Sequence, residues 1–134
     1  TFANTHEHYV ASSSGFTPMR TDTDARPTGG IRRYWEWHAM FPKPGLFHRK
    51  ESTIPYDYDD VLSLIAPRKC LIYAPARDRF ADNKDVKACV EKVRASWQNK
   101  NGLTFMSPDD ICRFQRDQQD AVLQWLETNR PTGE

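Results

Sequence analysis

The chain has 134 residues, 38% of them hydrophobic, and carries a formal net charge of +1 from 19 Lys plus Arg against 18 Asp plus Glu, with a mean hydropathy of −0.78. That length suits a single domain, 1–134, and the 7 Phe, 5 Tyr and 4 Trp argue against disorder, although the apolar share is thin for a self-sufficient core. The balanced charge offers no basic excess for nucleic acid, and no apolar run approaches the roughly 20 residues of a membrane span.

In chain order, residues 8–13, HYVASS, read as a short strand running into the Ser/Gly/Pro cluster SSGFTP. Residues 19–56 contain Pro27, Gly29, Gly30, Pro42, Pro44, Gly45 and Pro55, which predicts an irregular, lid-like insertion, counted with its preceding turn as 17–56. Within it Ile31, Tyr34, Trp35 and His38 fall at i, i+3, i+4, i+7 and predict a short helix with one aromatic face that stops near Pro42. Tyr58, Val61, Leu62 and Ile65 predict a second helix, with Asp57 or Asp59 as its cap and the Ala66-Pro67 pair as its end. KCLIYA follows as a continuous apolar run of strand length, the pattern of a parallel strand covered on both faces. Val86, Val90, Val93 and Trp97 then step along a helix that ends at Asn101-Gly102. LTFM, residues 103–106, is the third strand, and Val122, Trp125 and Leu126 face inward from a last helix ending near Pro131.

Strand and helix alternate, so the expected class is α/β: about three parallel strands with flanking helices. In such sheets ligands gather at the carboxyl ends of the strands, and Asp78 sits just beyond one such end. Cys70, Cys89 and Cys112 are odd in number and widely spaced, which fits neither a disulfide framework nor a zinc knuckle. They read as thiols of a core in a reducing intracellular compartment. The chain opens on Thr1 and its first methionine is Met19, from which a processed product or a piece of a longer polypeptide is expected. His6 and His8 share a face of an extended segment, yet a transition metal takes three or four ligands, so neither metal nor cofactor is expected. The Gly29-Gly30 pair lacks phosphate-loop spacing and reads as a helix-start turn.

The run IPYDYDDVLSLIAPRKCLIYAPARDRFAD, followed by a helix, LTFMSPDDICRF and a terminal amphipathic helix, resembles the C-terminal portion of α/β-hydrolases in the dienelactone hydrolase and acetyl-xylan-esterase-like group. HYVASSSGF and RPTGGIRRYWEW resemble the sixth strand of that family and the insertion after it, so the likeness runs from about residue 8 to 128. It implies a partial α/β-hydrolase fold holding the sixth to eighth strands. It also puts Asp78 at the position of the triad acid, whose work is to hold a histidine tautomer and stabilise the imidazolium. Read as a plain loop residue, Asp78 pairs with Arg77 or Arg79.

The family histidine would fall in SPDDICRF, where Cys112 aligns, and no histidine follows His48. A thiol is a poor general base near neutrality. Only His38 or His48, swinging in from the insertion, would restore one. The G-x-S-x-G elbow that carries the family nucleophile is absent, since SSSGF lacks the leading Gly-x and its serines read as turn formers. The tract YWEWHAMF supplies Tyr34, Trp35, Trp37 and His38 as candidate walls of an acyl or sugar pocket, or equally as a docking surface for a partner.

Two functions follow. The chain is a structural or pseudoenzyme component, lacking nucleophile and triad histidine, whose first strand pairs with the missing N-terminal portion of the fold or with a partner chain. Alternatively it is part of an active serine esterase, acting on carboxylic or carbohydrate esters, whose nucleophile lies elsewhere.

Overall fold

The computed structural model describes residues 9–32, 43–99 and 101–130. Three strands, β1 (Val10–Ser13), β2 (Cys70–Tyr73) and β3 (Leu103–Met106), form one parallel sheet in the order β1-β2-β3, with Val10 opposite Cys70 and Cys70 opposite Leu103. The helices whose full extent lies among the described residues are α1 (Tyr58–Ser63), α2 (Asn83–Val93) and α3 (Arg116–Thr128). The α/β class and the parallel sheet with flanking helices are therefore as the sequence indicates.

β2 is the middle strand and all four of its residues are buried, which explains why its sequence runs apolar without alternation. Cys70 and Ile72 pack on one face with Leu62 of α1 and Val86, Val90 and Val93 of α2. Leu71 and Tyr73 point to the other face, toward which α3 directs Trp125, whose indole N–H donates to Thr104 Oγ1 at 3.0 Å. Burying each such aliphatic side chain contributes about 1.5–3 kcal/mol. Trp97 closes the bottom of the α2 face, donating its indole N–H to the Arg68 carbonyl at 2.9 Å.

The helix boundaries differ from the periodic reading at their ends. α1 stops at Ser63, two residues short of Ile65, and α2 stops at Val93, where a 3-10 turn, Arg94–Ser96, tightens the chain so that Trp97 enters the core in extended conformation. The α1 cap is Asp57, not Asp59: its carboxylate accepts from the Tyr58 N–H while Asp60 reaches back to the Asp57 N–H.

The insertion has its own small core of Met19, Ile31 and Ile54, joined to the main core through Tyr58, which stacks on Phe16 with ring centroids 4.4 Å apart. Asp22, fully buried, folds the turn that precedes residue 31 by accepting from the N–H groups of Thr28, Gly29 and Arg32 at 2.8, 3.3 and 3.0 Å. Gly29 has φ +78°, and a side chain there would press within 3.1 Å of the Phe80 carbonyl, so both backbone conformation and close approach call for glycine. That contact lays the insertion against the loop that carries Asp78. Residues 31 and 32 are helical, and the remainder of the helix expected from Ile31 to His38, with its aromatic tract, lies outside the described residues.

β1 is one border of the sheet and β3 the other. Val10 and Ser14 donate inward to the carbonyls of Lys69 and Tyr73 at 3.0 and 2.9 Å, so the alternation of a parallel ladder turns the N–H groups of Ala11 and Ser13 outward. Among the described residues nothing bonds to those outward groups, and Ala11 and Ser13 are exposed. No helix of the described residues is long and apolar enough to cross a membrane.

Candidate functional site

Asp78 lies in the loop between β2 and α2. The chain leaves β2 alongside β3 and keeps bonding to it past the strand ends: Ala74 N–H to the Met106 carbonyl, Ala76 to Pro108 and Arg77 to Asp110, at 2.8, 2.8 and 2.9 Å. The loop bearing Asp78 and the loop bearing Cys112 thus run side by side. Asn83, the first residue of α2, locks the junction by donating its carboxamide N–H groups to the Ala74 carbonyl at 2.7 Å and to Ser107 Oγ at 3.0 Å. Asp82 caps α2, accepting from the N–H groups of Lys84 and Asp85 at 3.0 and 3.1 Å.

Neither neighbouring arginine pairs with Asp78. Arg77 reaches across to Asp109, its Nε 2.9 Å from Oδ1, and Arg79 lays its guanidinium over the Phe80 ring at 4.5 Å. Asp78 Oδ1 accepts from the Phe80 N–H at 2.8 Å, an Asx turn that fixes the loop. Oδ2 has no partner among the described residues. The reading of Asp78 as a loop carboxylate paired with Arg77 or Arg79 is therefore excluded by geometry.

The half-buried Asp78 side chain lines a crevice of about 10 Å³, the room of a single water, at the carboxyl ends of β1 and β2. Its walls are Phe16, Ile72, Ala74, Pro75, Ala81 and Val86, and its polar lining residues are Ser14, Asp78 and Asn83, with Tyr73 beside them. Ser14 holds φ +48°, a left-handed conformation that costs a residue with a side chain about 1–2 kcal/mol. The serine run reads as turn-forming in the sequence, and Ser14 does form a turn, but it also lines the same crevice as Asp78. Nothing in SSSGF announces that second property.

Cys112 is exposed on the outer turn of the β3 loop and is not a wall of this crevice. The loop owes its shape to Asp110, which accepts from Arg113 Nε, the Ile111 N–H and the buried Gln118 carboxamide at 2.8, 2.8 and 2.9 Å. The Arg113 guanidinium, with help from the Ile111 N–H, holds the Asp110 carboxyl below its ordinary range. Tyr73 is pushed up by burial and by the charges of Asp110 and Asp117. Expecting all three cysteines inside the core holds for Cys70 and Cys89, whose thiols burial pushes up to about 11 and about 12, and fails for Cys112. The sequence placed Cys112 in a loop with Arg113 and Asp110 around it, and those charges favour the solvent side.

The histidine rescue finds no support from His48, whose Nε2 lies 3.1 Å from Asp24 Oδ1, beside Arg49 and Arg32, and not along the crevice. His38, the other rescue candidate, lies outside the described residues, as do Tyr34, Trp35 and Trp37 of the proposed aromatic wall and the His6/His8 pair. Among the described residues no group of three or more His, Cys, Asp or Glu is placed to hold a metal ion.

A second cleft, of about 220 Å³, opens between the insertion and the helices, lined among others by Arg20, Thr21, Asp57, Asp59, Asp85 and Lys92. Its carboxylates are all occupied. Asp57 accepts from the N–H groups of Met19, Arg20 and Tyr58 at 2.9, 2.9 and 2.7 Å. Asp59 binds Lys92, and Asp85 takes a two-pronged grip from Arg26 at 2.7 and 2.8 Å. For Asp59 burial works upward, but the Lys92 hydrogen bond and charge outweigh it and the carboxyl sits low; for Asp85 the same contest is won by Arg26 and Thr21. Arg26 also meets Asp82 at 3.1 Å, so one side chain ties the insertion to the start of α2. No spacing rule links residue 26 to residues 82 and 85, which is why this clasp is invisible in the sequence.

Compared with known proteins, the chain matches no family model and no curated protein.

Proposed function

We propose that this chain is the C-terminal portion of an α/β-hydrolase-type fold, with the three strands standing as the sixth to eighth, and that it acts as a structural or pseudoenzyme component, non-catalytic on its own. The observation that carries the reading is the open border at β1. Parallel sheets are covered on both faces and do not leave long bare edges, and β1 carries no lysine, proline or bulge that would blunt its edge. The outward N–H groups of Ala11 and Ser13 and their small exposed side chains fit a further parallel strand, with a helix lying over that face. The missing N-terminal portion of the fold or a partner chain supplies both.

The non-catalytic half of the reading rests on composition at the site. No imidazole stands among the crevice residues, Cys112 is exposed and is not one of them, and Ser14 lies beyond a strand without an elbow motif. A fluorophosphonate serine probe is expected to leave the chain unlabelled. Covalent label on Ser14 or any other serine of this chain overturns it.

The alternative, a portion of an active serine esterase, draws on one specific observation: Asp78 keeps an unengaged carboxylate oxygen at the strand end where a triad acid belongs. The reaction would be acyl transfer through a serine ester, with nucleophile and base supplied by another segment. In that case hydrolysis of p-nitrophenyl acetate by the completed assembly falls by about 10⁴ in Asp78→Asn. An unchanged rate in that variant removes the alternative.

A further inference from the structure

Three basic side chains meet on one carboxylate in the insertion. Asp24 Oδ1 accepts from the Arg32 guanidinium and lies 3.1 Å from His48 Nε2, while Oδ2 accepts from Arg49 Nε at 2.9 Å. Groups that bond to the same carboxylate are neighbours of one another, so these contacts fix the convergence. His48 and Arg49 hold the Asp24 carboxyl below its ordinary range, and the Arg32 charge adds to them. The carboxylate is fully used, but the cations are not. Arg32 Nε is buried without a partner, and among the described residues the Arg49 guanidinium bonds through Nε alone, leaving both terminal nitrogens idle. Two guanidiniums against one carboxylate leave a surplus positive charge, larger still when His48 is protonated. Arg49 also holds φ +63°, a left-handed conformation kept in place by the buried Glu51, which accepts the Arg49 N–H at 2.7 Å. An orphaned buried donor and a strained cation are features that an ion-pair fastening does not require and that an absent anion explains.

We propose that Arg32, His48 and Arg49 form a binding site for a phosphate monoester, with Asp24 as the internal anion that the ligand displaces. Charge and valence select that class. A carboxylate ligand would exchange like for like against Asp24, which is tethered beside the cations and so acts at high effective concentration. A phosphoryl group brings a charge of about −1.5 to −2 and three acceptor oxygens. It replaces the contacts that Asp24 gives up and engages the idle guanidinium donors as well, which a planar guanidinium offers in pairs. The Asp24 and Arg49 side chains are 48% and 77% exposed, so the carboxylate has room to swing into solvent and the ester group of the ligand stays outside. This inference does not depend on the hydrolase-type reading, because it uses only the charges and contacts of these four side chains.

The test is a titration followed by amide chemical shifts of the full chain with phenyl phosphate and with inorganic phosphate, against sodium acetate at the same ionic strength. Both phosphates are expected to give saturable shifts confined to residues 22–26, 28–32 and 47–51, and acetate none. Arg49→Gln removes a solvent-exposed cation and is expected to weaken phenyl phosphate at least about tenfold, the range of one charge-assisted bond. Asp24→Ala removes the internal competitor and is expected to tighten it about tenfold, and Asp24→Asn, which keeps an acceptor without the charge, moves it in the same direction by less. Arg68→Gln, an exposed cation that bonds only the Leu64 and Ile65 carbonyls, leaves binding unchanged. The rise on losing Asp24 separates a ligand site from a fastening, since loss of a mere fastening would not tighten any anion. Equal shifts from acetate, binding of inorganic phosphate alone, no saturation with phenyl phosphate, undiminished affinity in Arg49→Gln or weaker binding in both Asp24 variants overturns the proposal.

Discussion

Two aspartate-lined regions of this molecule differ in what their carboxylates have left to do. In the cleft between the insertion and the helices, Asp57, Asp59 and Asp85 are each bonded to backbone N–H groups, to Lys92 or to Arg26, and together they hold residues 18–26 against α1 and α2. In the β2 loop, Asp78 has one oxygen engaged by its own turn, pairs with no cation among the described residues, and lines a crevice. The larger cavity is the structural one. Hydrogen-bond occupancy, rather than volume or the density of acidic residues, separates a fastening from a site.

The sharpest way to break this contrast is to remove one carboxylate from each region. Asp57→Ala strands three backbone donors and a helix cap, and is expected to destabilise the fold by roughly 3 kcal/mol in urea unfolding. Asp78→Asn is expected to stay within about 0.5 kcal/mol of the parent. Equal losses would mean that Asp78 is a fastening too.

Thiol reactivity extends the comparison. Cys89 lines the cleft and is buried with its thiol raised to about 12, whereas Cys112 is exposed on the loop next to that of Asp78. Iodoacetamide is expected to label Cys112 at least about a hundredfold faster than Cys89 or Cys70 in the native state, and all three alike in denaturant. Rapid native labelling of Cys89 would show that the insertion lifts off the cleft.

Acid acts on the cleft as well. The Asp59 and Asp85 carboxyls are lower in the fold than in the unfolded chain, so their contribution is present above the unfolded value and is lost as pH falls through the folded one. The melting temperature is therefore expected to drop below about pH 4, and the drop should be shallower in Lys92→Met. An unchanged slope in that variant would remove the Lys92 pair from the account. The smallest effect belongs to the crevice: Ser14→Gly relieves a left-handed backbone and should stabilise by no more than about 1 kcal/mol.

The sheet was legible because its signals are local. The unbroken apolar run Cys70–Tyr73 is what a strand buried on both faces requires, and LTFM followed by the Val122/Trp125/Leu126 stripe reports a strand and a covering helix. Trp97 was legible as core but not as the point where helix gives way to extended chain, because the four-residue step from Val93 to Trp97 reads as one more helical turn although a 3-10 turn intervenes. At the site, the position of Asp78 past a strand end was readable, and its freedom from Arg77 and Arg79 was not. Alternate residues of an irregular loop point in directions that only the neighbouring β3 loop decides. Asn83, Arg26 and Asp22 were missed for the same reason: their partners are fixed by tertiary contact or by turn geometry without a periodic signature.

Backbone amide hydrogen exchange on the chain decides whether the β1 border is open to a further strand. The amides of Val10 and Ser14, bonded inward to β2, are expected to exchange slowly, while those of Ala11 and Ser13 exchange close to the rate of an unprotected peptide and become protected only when a further strand is supplied. Strong protection of Ala11 and Ser13 in the chain by itself would contradict it.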